Sequence, residues 1–243
     1  MTHPSFSPLP AALYLIPCPI GETSLDRVLP SFNRDVVLGI RHFVVEEIRT
    51  ARRFLKRVER SIDIGALTFY PMGKHADTAL FSSYLEPLRR GEPVGVISEA
   101  GCPAVADPGA DLVAIARAEG LEVVPLVGPS SILLTVMASG FNGQSFAFNG
   151  YLPIDAAARA RRLRTLEQRA RDERQTQLFI ETPYRNARLL ADIIAACRPS
   201  TRLCIAAGLT TADEFVRTLT LARWRHTKLP DLQKTPAVFA LYC

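Results

Sequence analysis

This sequence is short of the features that mark most metal-, nucleotide- and membrane-binding proteins. Its 243 residues include five cysteines (Cys18, Cys102, Cys197, Cys204, Cys243), with no Cys-x-x-Cys pair among them. An odd, unpatterned set in a chain of this size argues against a disulfide framework, and reduced thiols in a cytoplasmic protein are expected. Four histidines are scattered without metal-ligand spacing, so no metal is expected. Neither Gly-x-Gly-x-x-Gly after a strand nor Gly-x-x-x-x-Gly-Lys-Ser/Thr occurs, which removes the dinucleotide and P-loop readings. The first ten residues lack the basic flank and apolar core of a secretory signal, and residues 1–12, rich in Pro and Ser, read as a loose tail. The longest uncharged segment, Val123 to Ile154, is broken by Pro125, Gly128, Pro129, Gly140, Gly143, Gly150 and Pro153. No run of about 18 apolar residues survives, so no membrane span is expected.

What is present is ordinary globular composition, 48% hydrophobic and 22% charged, which excludes a disordered chain. The length suits one large domain or two small ones. A net charge of +5 is compatible with a polyanionic partner without requiring one. Apolar runs alternate with helical patterns throughout, so the fold class is α/β.

The stretch from Val94 to Gly109 organises the chain. Val94 to Ile97 reads as a buried strand that runs into Ser98-Glu99-Ala100-Gly101-Cys102-Pro103 and then Asp107-Pro108-Gly109. A strand ending in small residues, Gly and Pro marks the carboxyl edge of a parallel sheet, where open α/β folds bind ligands. Gly101 permits close backbone approach, and Asp107-Pro108-Gly109 reads as a rigid turn into a helix from Ala110 to Glu119. Ala12 to Ile16 is a second such strand, closed by Pro17-Cys18-Pro19-Ile20-Gly21. Further strands are expected over Val36–Ile40, Leu67–Met72, Leu121–Leu126, Ser145–Asn149, Gln177–Ile180, Leu203–Ala207 and Ala237–Tyr242, and a single helix over Asp77–Arg90. Val127-Gly128-Pro129-Ser130-Ser131 opens a helix, with Ser able to cap it.

Two helices are basic. From Glu47 onward Ile48, Ala51, Leu55, Val58 and Ile62 form an apolar stripe, while Arg49, Arg52, Arg53, Lys56 and Arg60 share another face. Between Asp155 and Arg174 stand Arg159, Arg161, Arg162, Arg164, Arg169, Arg171 and Arg174, with Leu163 and Leu166 as a thin apolar stripe, so most of this helix is expected to face water. A solvated face accounts for either pattern; so does contact with nucleic-acid phosphates.

Ser98-Glu-Ala-Gly-Cys-Pro103 followed by Asp107-Pro-Gly109 resembles the signature of the tetrapyrrole methylase superfamily. The Pro17-x-Pro19-Ile-Gly21 loop, Glu46 and Arg49 within Val45–Arg49, Gly128-Pro129-Ser130, and Glu181-Thr-Pro-Tyr-Arg185 are similar to the branch that methylates a cytidine ribose 2′-hydroxyl in small-subunit ribosomal RNA. Val45, Ile48, Val127, Ser131 and Tyr184 depart from that branch's pattern. The resemblance spans roughly residues 12 to 210. It implies two α/β domains, 1–127 and 128–243, with S-adenosylmethionine in the cleft between them, a homodimer, and ribosomal RNA or the small ribosomal subunit as partner. Many members of the branch carry a further small helical domain that this sequence is expected to lack.

The same resemblance implies cofactor contacts from Pro17, Pro19, Ser98, Ala100, Gly101, Cys102, Pro103, Pro129, Ser130 and Tyr151. A ribose hydroxyl must lose its proton, for which Glu46, Glu99 and Glu181 are candidates, with Arg49 beside them. Arg49, Arg53, Arg162, Tyr184 and Arg185 are candidate substrate contacts. A methylase of a small tetrapyrrole-like acceptor and a non-catalytic RNA-binding relative remain as rival readings.

Overall fold

The chain divides into two units, Met1–Pro129 and Ser130–Cys243, each built on its own five-stranded sheet. The computed structural model describes residues 9–73, 77–228, 231–232 and 234–243. Most of the expected N-terminal tail, and Lys74-His75-Ala76 after the third strand, lie outside the described residues.

In the first unit β1 (Leu13–Ile16), β2 (His42–Val45), β3 (Thr68–Pro71), β4 (Val94–Ile97) and β5 (Val123–Pro125) are all parallel, in the order β3-β2-β4-β1-β5. Helices α1 (Ser31–Leu38) and α2 (Ile48–Val58) cover one face, where Val36, Val37, Phe54 and Leu55 pack on Tyr14, Ile16, Phe43 and Val45. Short α3 (Phe81–Tyr84) and α4 (Glu86–Arg89) together with α5 (Ala110–Ala118) cover the other, against Leu13, Val44, Val94 and Val96. Alternate residues of each strand thus face opposite layers, as the pleat requires. Gly95 in β4 is needed at this density, because a Cβ there would come within 2.8 Å of Ile16 Cδ1. β1 and β4 lie side by side, yet β1 leads off toward β2 and β4 toward β5. Their carboxyl ends therefore form a topological switch point, where such sheets leave a crevice.

Two expectations are corrected here, and two elements are added. Val36–Ile40 is not a strand; it belongs to α1 and its exit. Pro30 precedes the first turn, and Val36, Val37 and Ile40 fall on one helical face that is buried against the sheet. Tertiary burial outweighs the β-propensity of this run, and the strand comes later, with His42 in register with Val94. The single helix expected over Asp77–Arg90 is broken into a turn at Thr78–Leu80, α3 and α4, since Pro87 at the start of α4 has no N–H to donate to a continuous ladder. In the second unit β9 (Phe215–Thr220) and α9 (Leu221–Trp224) are additional elements that local pattern does not reveal.

The second sheet runs β6-β7-β10-β8-β9, from β6 (Phe146–Tyr151), β7 (Thr176–Glu181), β8 (Arg202–Ala207), β9 and β10 (Ala237–Tyr242). β6 and β7 are parallel and the remaining pairs antiparallel. Helix α6 (Ser131–Ser139) lays Ile132 and Val136 on Leu178, Cys204, Val238 and Ala240. On the opposite face α7 (Ala156–Asp172), α8 (Asn186–Ala196) and α9 bury Leu163, Leu166, Ile193 and Trp224 against Phe179, Ile205 and Phe239.

Helix α7 is less solvated than its sequence implies. Arg159 is 6% exposed, its Nε donates to Asp192 at 2.8 Å, and its Nη1 donates to the carbonyls of Pro153 and Ile154. Buried Glu167 accepts from Arg198 N and Thr201 Oγ1. Among the described residues no helix is long and apolar enough to cross a membrane.

Candidate active site

Three loops meet at the carboxyl edge of the first sheet, and specific contacts tie them together. Cys18, just after β1, exchanges both backbone hydrogen bonds with Gly101 after β4: Cys18 N donates to Gly101 O at 2.8 Å and Gly101 N to Cys18 O at 3.0 Å. Gly101 adopts φ +72°, a conformation that costs an L side chain strain and glycine almost none. The Cys102 thiol donates to Pro129 O, and Asn33 Nδ2 donates to Val127 O at 2.9 Å. Gly128 lies against Pro17 so closely that a Cβ would fall 2.2 Å from the Pro17 Cβ. Pro17, Gly101, Cys102 and Pro129 are thus brought together as the framework of this edge, with buried Pro103 beside them.

In front of this framework lies a cleft of about 420 Å³. Its walls are Cys18 to Glu22, Ile97 to Ala100, and Thr50, Ala51, Arg53, Phe54 and Arg57 of α2. Pro19, Ser98, Ala100 and Arg53 line it directly, as does Glu99. Glu47 starts α2 by accepting from Arg49 N, which leaves the Arg49 side chain exposed at that end of the helix. Glu46 Oε2 accepts from the Glu99 backbone N–H at 3.4 Å, so these two candidate carboxyls stand together.

A third carboxyl joins them. Partial burial, then the nearby charges of Glu46 and Glu99, push the Asp107 carboxyl up to about 6, although Ser98 hydrogen-bonds it. Burial also raises Glu99, helped by Glu46 and Glu47 and opposed by a hydrogen bond from Thr50. Buried Cys18 has its thiol pushed up to about 12 by desolvation, with Glu99 adding to the effect, so it is not a nucleophile. Burial is the main cause of the Glu99 and Asp107 shifts, and the mutual repulsion of Glu46, Glu99 and Asp107 adds to it. In the sequence Asp107 reads only as a turn residue. The signal available was its place in the same motif as Ser98 and Glu99.

The remaining candidates belong to the second unit. Ser130 caps α6 by accepting from Leu133 N. Tyr151, 62% exposed, ends β6 in register with Ile180, and an irregularity in the pairing precedes it. Arg162 Nη2 donates to Asn149 Oδ1 at 2.8 Å, which fixes the guanidinium against β6. Glu181 is buried at the end of β7, where it accepts from Thr182 N and from Arg185 at 2.7 Å. Glu181 thereby orients Arg185, while Tyr184 beside it is exposed.

Comparison with known proteins agrees with this architecture. The chain is 30% identical over 223 residues to the ribosomal RNA small subunit methyltransferase I of Vibrio cholerae, covering 91% of this chain and 72% of the relative. It is 31% identical to that of Pseudomonas aeruginosa (86% of this chain, 70% of the relative) and 34% identical to that of Mesorhizobium japonicum (88% and 69%). Among solved structures, the methyltransferase CobJ shares the fold at TM-score 0.62 and 16% identity, over 95% of this chain and 93% of CobJ. The uroporphyrin-III C-methyltransferase of Thermus thermophilus, solved with S-adenosyl homocysteine, does so at 0.55 and 17% identity, over 95% and 97%. Residues 26–224 match the family model of the tetrapyrrole (corrin/porphyrin) methylases, and the chain belongs to that family.

Proposed function

We propose that this chain transfers the methyl group of S-adenosylmethionine to a ribose 2′-hydroxyl of small-subunit ribosomal RNA. The observation that carries the reading is the switch-point edge itself: a tied β1–β4 framework, a cluster of three carboxyls, and an arginine-bearing helix along one wall. The names of the relatives supply the substrate class.

The donor set fits such a cofactor. Burial, and then the mutual repulsion of Glu46, Glu99 and Asp107, raises the proton affinity of Glu99 and Asp107. A ligand carrying cationic groups relieves that repulsion. Ser98, Ala100, Gly101, Cys102 and Pro103, with Pro17, Pro19 and Pro129, are the residues of the first unit proposed to hold it, and Ser130 and Tyr151 those of the second. S-adenosylmethionine supplies an already activated sulfonium methyl, so the protein's task is alignment and exclusion of water.

The acceptor hydroxyl must release a proton as it is methylated. Asp107, ionised above about pH 6 and held by Ser98, is the proposed acceptor of that proton, with Glu46 and Glu99 tuning it. Arg49 and Arg53 are proposed to hold phosphates beside the ribose, as are Arg162, Tyr184 and Arg185 on the second unit, with Glu181 positioning Arg185 rather than taking a proton. We also propose a homodimer in the cytoplasm. Leu133 and Met137, exposed one turn apart on α6, are apolar surface available to a second copy.

The test is transfer of a labelled methyl from S-adenosylmethionine to unmethylated small ribosomal subunits, followed by mapping of the modified nucleotide. A single ribose-methylated site supports the reading. Cofactor binding with no transfer to the subunit, but transfer to a small acceptor, overturns the RNA assignment.

A further inference from the structure

A second cavity, of about 460 Å³, opens between α1 and α2 and is not used by any step above. It is within the size range of small-ligand sites. Its floor is apolar, formed by Ile16, Leu29, Val37 and Phe54, and its rim carries Lys56, Arg57 and Arg60. Phe54 and Arg57 line the candidate active-site cleft as well, so the two cavities are neighbours across one side of α2.

The charges on the rim are held in place without being neutralised. Arg57 Nη2 donates to Thr23 O at 2.7 Å and Lys56 Nζ donates to Arg60 O at 2.9 Å, both neutral carbonyls. Among the described residues none of Lys56, Arg57 and Arg60 forms an ion pair, whereas Arg34 at the same rim is engaged by Glu59. Asp26 is the carboxylate in the lining. From Arg53 to Arg57 the helix rises about 6 Å, at 1.5 Å per residue, and Arg60 follows just beyond its last turn, so these cations are strung out along one direction, as successive phosphates of one strand are.

We infer that the α1–α2 cavity is a subsite for a neighbouring nucleotide of the RNA strand, its floor taking a base or sugar face and Lys56, Arg57 and Arg60 its phosphates. The inference rests on the RNA reading proposed above. It makes the first unit a reader of strand context, because a nucleotide seated here sets which residue of the strand reaches the cleft.

Fluorescence anisotropy with a labelled single-stranded fragment of small-subunit ribosomal RNA, over a range of salt concentrations, tests it. In Lys56→Gln/Arg60→Gln the Kd rises about tenfold and the salt slope falls by about 1.4, at about 0.7 per lost single-strand phosphate contact. Ser31→Trp, which fills the cavity from the exposed start of α1, weakens binding similarly with an unchanged slope. Calorimetric affinity for S-adenosylmethionine and the rate at saturating RNA stay at wild-type values in both. If the charge variant loses affinity while Ser31→Trp does not, the basic side of α2 is a solvated attraction surface and the subsite is refuted. Unchanged binding in both variants refutes it too. Binding without methylation sinks the parent reading, while the variants still decide the subsite; a wild-type chain that neither binds nor methylates RNA overturns both.

Discussion

Replacing Asp107 by Asn separates the electrostatics of the candidate site from its packing. The carboxyl titrates near 6, where the ordinary value is 3.8. The folded protein therefore holds this proton more tightly than the unfolded chain, and unfolding between those values releases it. Stability falls as pH rises from about 4 to about 6, then levels off with the full cost of the ionised form in place. At 1.36 kcal/mol per tenfold, the shift sets a ceiling of about 3 kcal/mol. Partial exposure and screening reduce that to roughly 1–2 kcal/mol. Asp107→Asn removes this cost and keeps a side chain that Ser98 can bond. We expect the variant to melt higher than wild type at pH 7.5, by about 2–6 °C for a chain of this size. The gap should nearly close near pH 3.5, where the wild-type carboxyl is protonated in the folded protein and mostly protonated in the unfolded chain. Methyl transfer should fall at the same time, giving the stability–activity opposition expected of a strained site. Thermal melts monitored by circular dichroism across pH 3.5–8 would show this. A stability difference that does not change with pH would refute the reasoning, since the variant's effect would then be one of packing.

Three further outcomes follow from the same geometry. Gly128→Ala forces a Cβ to within 2.2 Å of Pro17; we expect a loss of about 1–3 kcal/mol in urea denaturation and weaker binding of S-adenosylmethionine by calorimetry. Arg159→Ala removes the buried guanidinium that bonds Asp192 and the carbonyls of Pro153 and Ile154, leaving Asp192 only the exposed Arg188, and should cost about 1–3 kcal/mol, whereas exposed Arg161→Ala should stay within about 0.5 kcal/mol. Iodoacetamide at pH 8 should modify exposed Cys243 at least roughly 100-fold faster than Cys18, whose thiol is buried and titrates near 12; mass spectrometry of tryptic peptides reads the ratio.

The sequence by itself determined the parts of the protein that depend on neighbours a few residues away. Val94–Ile97 running into Ser98–Pro103, and Ala12–Ile16 running into Pro17–Gly21, are legible as strands ending at a ligand-binding edge because the apolar run, the Gly and the Pro lie next to one another. The caps at Ser130 and Asp155 are local in the same way. Tertiary structure alone decided the features that depend on what packs against what. Val36–Ile40 has the composition of a strand and becomes a helical face because the sheet beside it offers an apolar layer to bury against. Arg159 sits in the same arginine run as Arg161 and Arg164, yet it alone turns inward, because Asp192 from α8 and the carbonyls of residues 153 and 154 converge on it. Asp107 looks like a turn residue until burial in the folded chain, with the charges of Glu46 from the loop after β2 and Glu99 from its own loop, raises its proton affinity. The basic side of α2 is visible in sequence, but the cavity it shares with α1 is not, since Val37 reads locally as strand and Ser31 and Asn33 are assigned to no element. Secondary-structure signals and turn chemistry are short-range and survive in one dimension, whereas burial, proton affinity and cavities are sums over atoms that only the folded chain brings within reach.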